Sequence, residues 1–441
     1  MRRVLARSVI MNFGGQTGSL ALGFIGSILL ARWLGPSDRG LLAIMITVMT
    51  AVFSVAGMGL HAATAHFVAR DRDRAGEILG NGLVFTAALT LVAIPIFWFF
   101  RDSIADLVAR GEGGRAWGIV GLLISLTFLQ WLLTNFLQGE LRFGLANALA
   151  IGSRAIYLAA VAIFFALVTP SVGAALLATG IGALAFVLAA LASVLRRHIA
   201  GFSASLLAQM LGFGSRRIVG ELFHFINLRL DLVVLGLFRP LREVGIYAVA
   251  QLIAELVLVV AHSFRFSVLP LVSSQEGEAA QEDTTSNALR FHGLLALVAL
   301  LANAVFGTLV ILIGFGSDFH GAIVPMLILL PGMWFLGTGM VATADLAGRG
   351  RPGLGSLLAG ASGLVTVALD VALIPSLGVP GAALASVLAY CLFGVGSLVA
   401  VSRVSGLALR ELVVPTRGDW RRIRELARSA SGRVPGLGQS S

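Results

Sequence analysis

Long apolar runs, separated by short polar segments, recur from one end of the chain to the other. A membrane-spanning α-helix needs about twenty apolar residues, because about 30 Å of hydrocarbon is crossed at 1.5 Å per residue. The pattern predicts an all-α polytopic membrane protein with about twelve transmembrane helices. We place these spans near residues 10–33, 41–63, 79–100, 117–138, 145–168, 173–195, 215–237, 244–272, 290–314, 321–343, 354–375 and 381–402.

The composition agrees with a membrane setting. The 441 residues are 57% hydrophobic and 12% charged, whereas about a quarter of a soluble domain is charged. All 32 basic residues are Arg, and most of them lie in segments that the predicted topology places on the inner side. Both termini are therefore expected in the cytoplasm. The formal net charge of +10 then reflects topology, and we expect no nucleic-acid partner.

The chain divides into two similar halves. LGPSDRGLLA at 34–43 and LFRPLREVGIYA at 237–248 each give a Pro, a short charged turn, a Gly and a new apolar helix. The match indicates a duplication with parallel repeats, and chance similarity between two membrane turns stays an alternative. We expect an N-terminal lobe at 1–200, a C-terminal lobe at 201–402 and a basic cytoplasmic tail at 403–441.

Three connecting segments carry expectations of their own. The outer segment 101–116 is expected to form at most a short interfacial helix, and the polar, acidic segment 273–290 is predicted to be a flexible connection. In the tail, 416–429 places apolar side chains on one face of a helix among several Arg. That pattern is typical of an interfacial helix on an anionic leaflet, with a solvated basic tail as the alternative.

The seventh span, ELFHFINLRLDLVVLGLF at 221–238, is apolar and yet contains polar and charged side chains. At about 100° per residue, several of these share a face about 120° wide, and Arg229 alone stands apart. The face comprises Arg217, Glu221, His224, Asn227 and Asp231. An ionisable group costs about 2.5–3.5 kcal/mol at membrane depth, so such a face is expected against a bundle interior or water.

Other spans have polar faces of the same kind. They comprise Asn12 and Gln16 in span one, Gln130 and Gln138 in span four, Asn147 and Arg154 in span five, and Gln251, Glu255, His262 and Arg265 in span eight. The shared register predicts one hydrated central cavity, with the two six-helix lobes around it. A structural role remains the alternative for each residue, such as an ion pair of Arg217 with Glu221. Asp370 is expected to be a polar group in helix packing.

Motifs of common enzymes are absent from the sequence. Without Lys there is no Walker A loop, and the G-x-G-x-x-G match at 348–353 lies in a short loop between membrane helices with no strand before it. No H-E-x-x-H, G-x-S-x-G or Cys/His metal spacing occurs. We therefore expect a protein that is not an enzyme and that holds no cofactor and no metal.

Three motifs carry a resemblance to a known family. They are ARWLGPSDRGLLAI at 31–44, NLRLDLVVLG with EVGIYAVAQLIAEL at 227–256, and GRGRPGLGSLLAGASGLVTVALDVALIPSLGVPGAALASVLAY at 348–390. In order and spacing they resemble the Wzx-like polysaccharide flippases of the multidrug/oligosaccharidyl-lipid/polysaccharide exporter superfamily. The resemblance reaches from the first span to the twelfth, and it aligns Arg229 and Asp231 with the R-x-D pattern of the family.

The resemblance implies a two-lobed, twelve-helix flippase that works by alternating access in the bacterial inner membrane. Its cargo would be an oligosaccharide linked through pyrophosphate to a polyprenyl lipid, for cell-surface polysaccharide biosynthesis. Membrane lipids, a polysaccharide polymerase and other assembly proteins are the further expected partners. The predicted substrate-binding residues are Arg154, Arg217, Arg229, Arg265, Asn12, Gln16, Gln130, Gln138 and Asn227. The predicted ion-coupling residues are Glu221, Asp231, Glu255, His224 and His262.

Two other functions remain as alternatives. A cation-coupled multidrug exporter of the same superfamily is expected to favour acidic and aromatic cavity residues, and the Arg residues within the spans disfavour it. A membrane glycan polymerase or ligase would need a sizeable outer loop with catalytic groups, and the predicted outer loops are short. The relatives specialised for peptidoglycan precursor have extra spans, which disfavours that cargo here.

Overall fold

The computed structural model describes residues 2–167, 169–273, 275 and 277–416, with the side chains of 2–17, 20, 216–221, 224, 266, 267, 270, 278 and 279 left out. Within these ranges the regular structure is entirely helical, as the apolar runs predict. The helices are α1 (Arg2–Ala56), α2 (Leu60–Arg70), α3 (Ala75–Phe99), α4 (Arg101–Ala109), α5 (Ala116–Gly139), α6 (Phe143–Leu167), α7 (Val172–Leu195), α8 (Ala204–Phe238), α9 (Leu241–Ala254), α10 (Leu258–Ser273), α11 (Glu278–Leu309), α12 (Ile323–Gly348), α13 (Pro352–Leu377), α14 (Val379–Ser405) and α15 (Leu409–Val413).

Ten helical segments of the described chain are long and apolar enough to cross a membrane. One of them, Ala21–Ala56, runs through a kink and holds parts of both the first and the second predicted span. The predicted seventh span corresponds to α8, which is additional to the ten. The prediction of an all-α membrane protein is confirmed.

Helix α1 bends sharply at Gly35, whose backbone has φ 73° and ψ 175°. In a straight helix the Cα atoms of Ser27 and Arg39 would lie about 18 Å apart, yet Arg39 Nη2 donates a hydrogen bond of 3.1 Å to Ser27 Oγ. The bend therefore folds the residues after Pro36 back toward those before it. Glycine adopts this φ without strain, which accounts for the position of the bend in the sequence.

The two matching turns of the sequence contact each other within the structure. A Cβ atom at Gly40 would collide with the carbonyl oxygen of Leu241, and a Cβ atom at Gly245 would collide with that of Pro36. The contact is reciprocal, since positions 36 and 40 of one turn meet positions 245 and 241 of the other. A two-fold relation between equivalent segments produces this kind of reciprocity. The contact therefore supports the predicted duplication.

Two predicted spans are interrupted along their length. The second breaks at Gly57–Gly59, where Met58 has a φ of 47°. The eighth contains a 3-10 turn at Glu255–Val257 between α9 and α10. Beside that turn, Asn303 Nδ2 donates a hydrogen bond of 2.7 Å to the carbonyl oxygen of Ile253. A side chain thus satisfies a buried backbone group next to the disturbed helix.

Two connecting segments are more helical than expected. The prediction of a flexible connection at 273–290 is wrong for most of its length, because α11 begins at Glu278. Thr285 in this segment is buried and donates a hydrogen bond of 2.5 Å to Asp345 Oδ1, which fixes the polar start of α11 to α12. The segment 196–217, between the predicted spans six and seven, is also largely helical, because α8 begins at Ala204 and Ser203 caps it by accepting a hydrogen bond from the backbone of Leu206.

The remaining segment predictions have different outcomes. A short helix is expected within 101–116, and α4 lies there. The helix expected at 416–429 lies outside the described part of the structure except for residue 416, because the described residues end there.

The chain forms two compact units. The first comprises Met1–Ala250, Leu309–Ile323 and Val367–Ala382, and the second comprises Gln251–Thr308, Val324–Thr366 and Ala383–Ser441. The core of the first includes Trp117, Phe128 and Phe136, and the core of the second includes Tyr390 and Met333. The lobe boundaries expected at 200 and 402 stay predictions.

Candidate functional site

Tyr157 on α6 is closely packed between two glycines of the first unit. A Cβ atom at Gly26 of α1 would lie 3.0 Å from Tyr157 Cε1, and one at Gly182 of α7 would lie 3.0 Å from Tyr157 Cβ. Ser153, one turn earlier on α6, donates a hydrogen bond of 2.8 Å to the carbonyl oxygen of Gly182. The absence of larger side chains at both glycines lets three helices hold the phenol ring in one place.

Two Arg residues lie within electrostatic range of this tyrosine, and a third lies within range of one of them. The bend at Gly35 brings Arg39 back into the first unit, where its guanidinium group lies within electrostatic range of Tyr157 and of Arg229 on α8. Arg154, on α6 one turn before Tyr157, also lies within electrostatic range of the phenol group. We call Arg39, Arg154, Tyr157 and Arg229 the arginine cluster.

The arginine cluster retains capacity to bind an anion. Arg39 Nε is buried and has no hydrogen-bond partner among the described residues. Arg154 forms neither a hydrogen bond nor an ion pair within the described part of the chain. Like charges at membrane depth repel each other and are costly to desolvate, and an anion that pairs with them offsets both costs. Guanidinium groups also offer paired donors that match phosphate oxygens.

Of the amide side chains predicted to bind substrate, those that the structure describes lie on two helices of the first unit. Gln130 and Gln138 are half-buried on α5, on the same face as the half-buried Thr127 and Thr134. Asn227 is buried on α8 and donates a hydrogen bond of 2.9 Å to the carbonyl oxygen one turn before it. The predicted face of α5 is therefore only partly covered by the protein. The side chains of Asn12, Gln16, Arg217, Glu221 and His224 lie outside the described part of the structure.

The polar residues predicted on the eighth span belong to the second unit. A 3-10 helix advances about 120° per residue instead of about 100°, so the turn at Glu255–Val257 rotates the faces of α10 by about 60°. His262 and Arg265 are exposed and lie within electrostatic range of each other, whereas Gln251 is fully buried. The polar residues of this span therefore differ in burial along its length, and the continuous polar face stays a prediction.

Two carboxyl groups are completely buried in the first unit. Asp231 on α8 accepts a hydrogen bond of 2.6 Å from Tyr247 Oη and one of 2.8 Å from the backbone of Leu232. Asp370 on α13 lies close enough to interact electrostatically with Asp231, and neither of its oxygens has a hydrogen-bond partner among the described residues. Two negative charges cannot share such a place unless a proton or a cation accompanies them. We call Asp231 and Asp370 the carboxylate pair, with Tyr247 as a hydrogen-bond donor to it.

Sequence reasoning assigns Asp231 to ion coupling but misses other members of both sites. The residue pattern places Arg39 in an outer turn and predicts for Asp370 a role in helix packing alone. Asp370 is recognisable as an acidic residue in the middle of an otherwise apolar span. For Arg39 the signal in the sequence is weaker. Gly35 and Pro36 indicate a bend, but the sequence does not predict the bend angle that brings the Arg39 side chain back into the first unit.

The long apolar helices and the buried charged residues together define a multi-pass membrane protein. Residues 29–324 match the family described as polysaccharide biosynthesis protein. The chain belongs to this family.

The chain is also similar to individual proteins over most of its length. It is 26% identical over 396 residues, 88% of this chain and 81% of the relative, to the probable low-salt glycan biosynthesis flippase Agl15 of Haloferax volcanii. Its fold is similar to that of the lipid II flippase MurJ in an inward closed conformation, with a TM-score of 0.74 and 17% sequence identity. The match covers 95% of this chain and 96% of the MurJ chain. Its fold is also similar to that of an inward-facing multidrug resistance transporter of the MATE family, with a TM-score of 0.67 and 17% sequence identity. That match covers 89% of this chain and 96% of the transporter.

Proposed function

We propose that the protein is a flippase for a polyprenyl-pyrophosphate-linked oligosaccharide in the bacterial cytoplasmic membrane, with both termini in the cytoplasm. The arginine cluster carries the proposal, because three guanidinium groups at one place in a membrane protein favour an anionic cargo. The family of polysaccharide biosynthesis proteins and the flippase relative support the glycan part of the cargo. Inward- and outward-facing structures of proteins with this fold support alternating access.

Each member of the arginine cluster has a role in this proposal. Arg39 and Arg154 bind the pyrophosphate through donors that are free in the described structure. Arg229 adds positive charge from α8, and Tyr157 sets the spacing between helices α1, α6 and α7. Gln130 and the other amide residues of the predicted set hydrogen-bond sugar hydroxyl groups. The lipid tail stays in the bilayer during the transfer.

Translocation in proteoliposomes tests the cargo and the cluster together. The probe is a fluorescent polyprenyl-pyrophosphate oligosaccharide, and the readout is its protection from a membrane-impermeant quencher. Arg39→Gln and Arg154→Gln are each expected to slow translocation at least about tenfold, since a hydrogen bond to a charged group contributes about 1.5–3 kcal/mol. Arg115→Gln, which removes an exposed charge before α5, is the matched control and is expected to leave the rate unchanged.

The outcomes separate the proposed function from its site. Equal rates in all variants would retain the flippase and discard the arginine cluster. Transport of a cationic dye, with no transfer of the pyrophosphate lipid, would instead favour the multidrug exporter. Extension of the glycan in the same vesicles would favour a polymerase or ligase, and it would overturn the expectation that the protein is not an enzyme.

The carboxylate pair is the proposed coupling site. A proton or monovalent cation bound between Asp231 and Asp370 compensates two charges that the fold buries together. Asp231→Asn and Asp370→Asn are expected to abolish the stimulation of transport by an imposed sodium or proton gradient while leaving gradient-free exchange of cargo measurable. Asp318→Asn, at an exposed position of the same unit, is the control. Undiminished stimulation in both variants would exclude this coupling site and leave Glu255 and His262 as the remaining described candidates.

A further inference from the structure

One loop of the second unit has a close counterpart in the first unit. The loop after α5 reads QGELRFG at 138–144, and the loop after α12 reads AGRGRPG at 347–353. At equivalent positions, Leu141 has a φ of 62° and Gly350 a φ of 78°. The next residues, Arg142 and Arg351, each donate a backbone hydrogen bond to the carbonyl group five residues back, with lengths of 2.9 and 2.8 Å. The two loops therefore share one backbone conformation.

The charges on the two loops differ. Glu140 in the first unit accepts a hydrogen bond of 3.2 Å from Arg142 and lies 2.8 Å from His198 Nε2. The equivalent of Glu140 in the second unit is Arg349, so the carboxylate that balances the loop is replaced by a further cation. A cavity of about 100 Å³ adjoins Glu140 and His198, whereas a cleft of about 680 Å³ adjoins Arg349 and Arg351.

The guanidinium groups of this larger cleft differ in burial and in hydrogen bonding. Arg349 is 8% exposed, and its charge is balanced by Asp345, with Nε 2.9 Å from Oδ2. Its Nη2 also donates a hydrogen bond of 2.8 Å to Thr285. Arg351 and Arg403 also line the cleft. Both are exposed, and no described residue forms a hydrogen bond or an ion pair with either of them. Two guanidinium groups therefore face one open cleft with all their side-chain donors available.

The other lining groups leave the cleft with a positive balance. Among the described lining residues, Glu282 provides one negative charge, and Arg351 and Arg403 provide two positive charges. Gln281 uses its amide donors on the backbone of Val272 and Gln275, so it holds the start of α11 in place.

The cleft lies where three candidate spans end. These spans finish at Gly348, begin at Pro352 and finish at Ser405, so the cleft is at the level where lipid headgroups meet the protein. Basic pockets at such a level bind anionic headgroups.

We propose that this cleft is a phosphate-binding site in which Arg351 and Arg403 bind the phosphate and Arg349 is a positioning residue. The chemistry fits the phosphodiester of an anionic lipid headgroup and also a free phosphate. The site lies entirely within the second unit and is separate from the arginine cluster of the first unit. This site would bind a phosphate group from the surroundings of the protein and not the transported cargo. It can therefore be tested without a transport measurement.

Binding to the full chain in detergent tests the site. Dihexanoyl phosphatidylglycerol, dihexanoyl phosphatidylcholine and inorganic phosphate are titrated separately and followed by isothermal calorimetry. Arg351→Gln with Arg403→Gln is expected to raise the dissociation constant for phosphatidylglycerol at least about tenfold. Arg196→Gln with Arg410→Gln removes the same charge from exposed positions outside the cleft and is expected to change it less than about twofold.

A second variant moves the affinity in the opposite direction. Glu282→Gln removes the opposing carboxylate, so it is expected to tighten binding of phosphatidylglycerol several-fold, which a misfolded protein would not do. Preference for phosphatidylglycerol over inorganic phosphate would identify a lipid headgroup as the source, and equal affinity would identify free phosphate. Equal losses in the two double variants would overturn the proposal. So would a wild-type protein that neither prefers phosphatidylglycerol to phosphatidylcholine nor binds phosphate.

Discussion

Two ion pairs of this protein have the same Nε–O distance and differ in burial, so their neutral variants compare a buried pair with an exposed one. In the second unit, Arg349 Nε lies 2.9 Å from Asp345 Oδ2, and the side chains are 8% and 1% exposed. In the first unit, Arg239 Nε lies 2.9 Å from Glu243 Oε2, and the side chains are 35% and 28% exposed. Both pairs are four residues apart. We expect the neutral variants Asp345→Asn and Glu243→Gln to have very different effects on stability.

The expected magnitude for Asp345→Asn depends on the charge that the change leaves unpaired. Arg349 would keep its charge in a nearly closed environment with only neutral partners, the hydroxyl group of Thr285 and the amide group of the new side chain. Breaking a buried pair by removing one partner costs about 3–5 kcal/mol, because the remaining charge stays desolvated. Glu243→Gln leaves Arg239 in contact with solvent, so its loss of stability is expected to be a small fraction of that value. The hydrogen bond from Arg239 to Glu243 raises the pKa of the guanidinium group, which is already charged at any working pH.

Unfolding in mixed micelles measures both effects. The purified chain is titrated with sodium dodecyl sulfate, and the free energy of unfolding is obtained from circular dichroism. The double variant Asp345→Asn with Arg349→Met is expected to be more stable than Asp345→Asn alone, because it removes the unpaired charge. Equal losses for Asp345→Asn and Glu243→Gln would refute the reasoning from burial. A double variant as unstable as the sum of its single changes would show that the pair does not interact.

Four further substitutions test the packing of the helices by the same unfolding measurement. Gly245→Ala is expected to cost about 1–3 kcal/mol, because the new Cβ meets the backbone of Pro36 and not a flexible side chain; an unchanged stability would contradict the close crossing. Asn303→Leu is expected to cost about 1–3 kcal/mol by leaving a buried carbonyl group without its side-chain donor; a gain in stability would contradict this. Ser153→Ala and Ser362→Ala each remove one interhelical hydrogen bond of 2.8 Å and are expected to cost about 1 kcal/mol each; an unchanged stability in either variant would contradict the contribution of its hydrogen bond.

The membrane helices could be predicted because one physical requirement, the burial of apolar residues in the hydrocarbon of the membrane, determines them. Burial of apolar runs in hydrocarbon requires about twenty residues whatever the neighbours are, so composition and length suffice. The R-x-D pattern at Arg229 and Asp231 could also be located, since it is visible in the sequence alone. The structure then assigns these two residues to the arginine cluster and the carboxylate pair respectively.

The remaining features depend on contacts between distant segments. The segment 273–290 is polar enough to be a loop, and its helix is fixed by a hydrogen bond from Thr285 to Asp345, sixty residues away. The 3-10 turn at Glu255–Val257 has a described compensating donor in Asn303 on another helix. Neither partner is visible to a local pattern, so a regular helix and a flexible loop are the natural expectations.

Helix α8 connects the two charged sites of the first unit. Residues two apart on a helix point in nearly opposite directions, about 200° from each other. Arg229 accordingly belongs to the arginine cluster, and Asp231 belongs to the carboxylate pair with Tyr247 and Asp370. A rotation or shift of α8 must therefore change both sites at once. If cargo and cation favour different positions of this helix, each must alter the affinity of the other by the same factor. The R-x-D spacing thus has a physical reason: it is the shortest separation on one helix that places a cation and an anion on opposite sides of it.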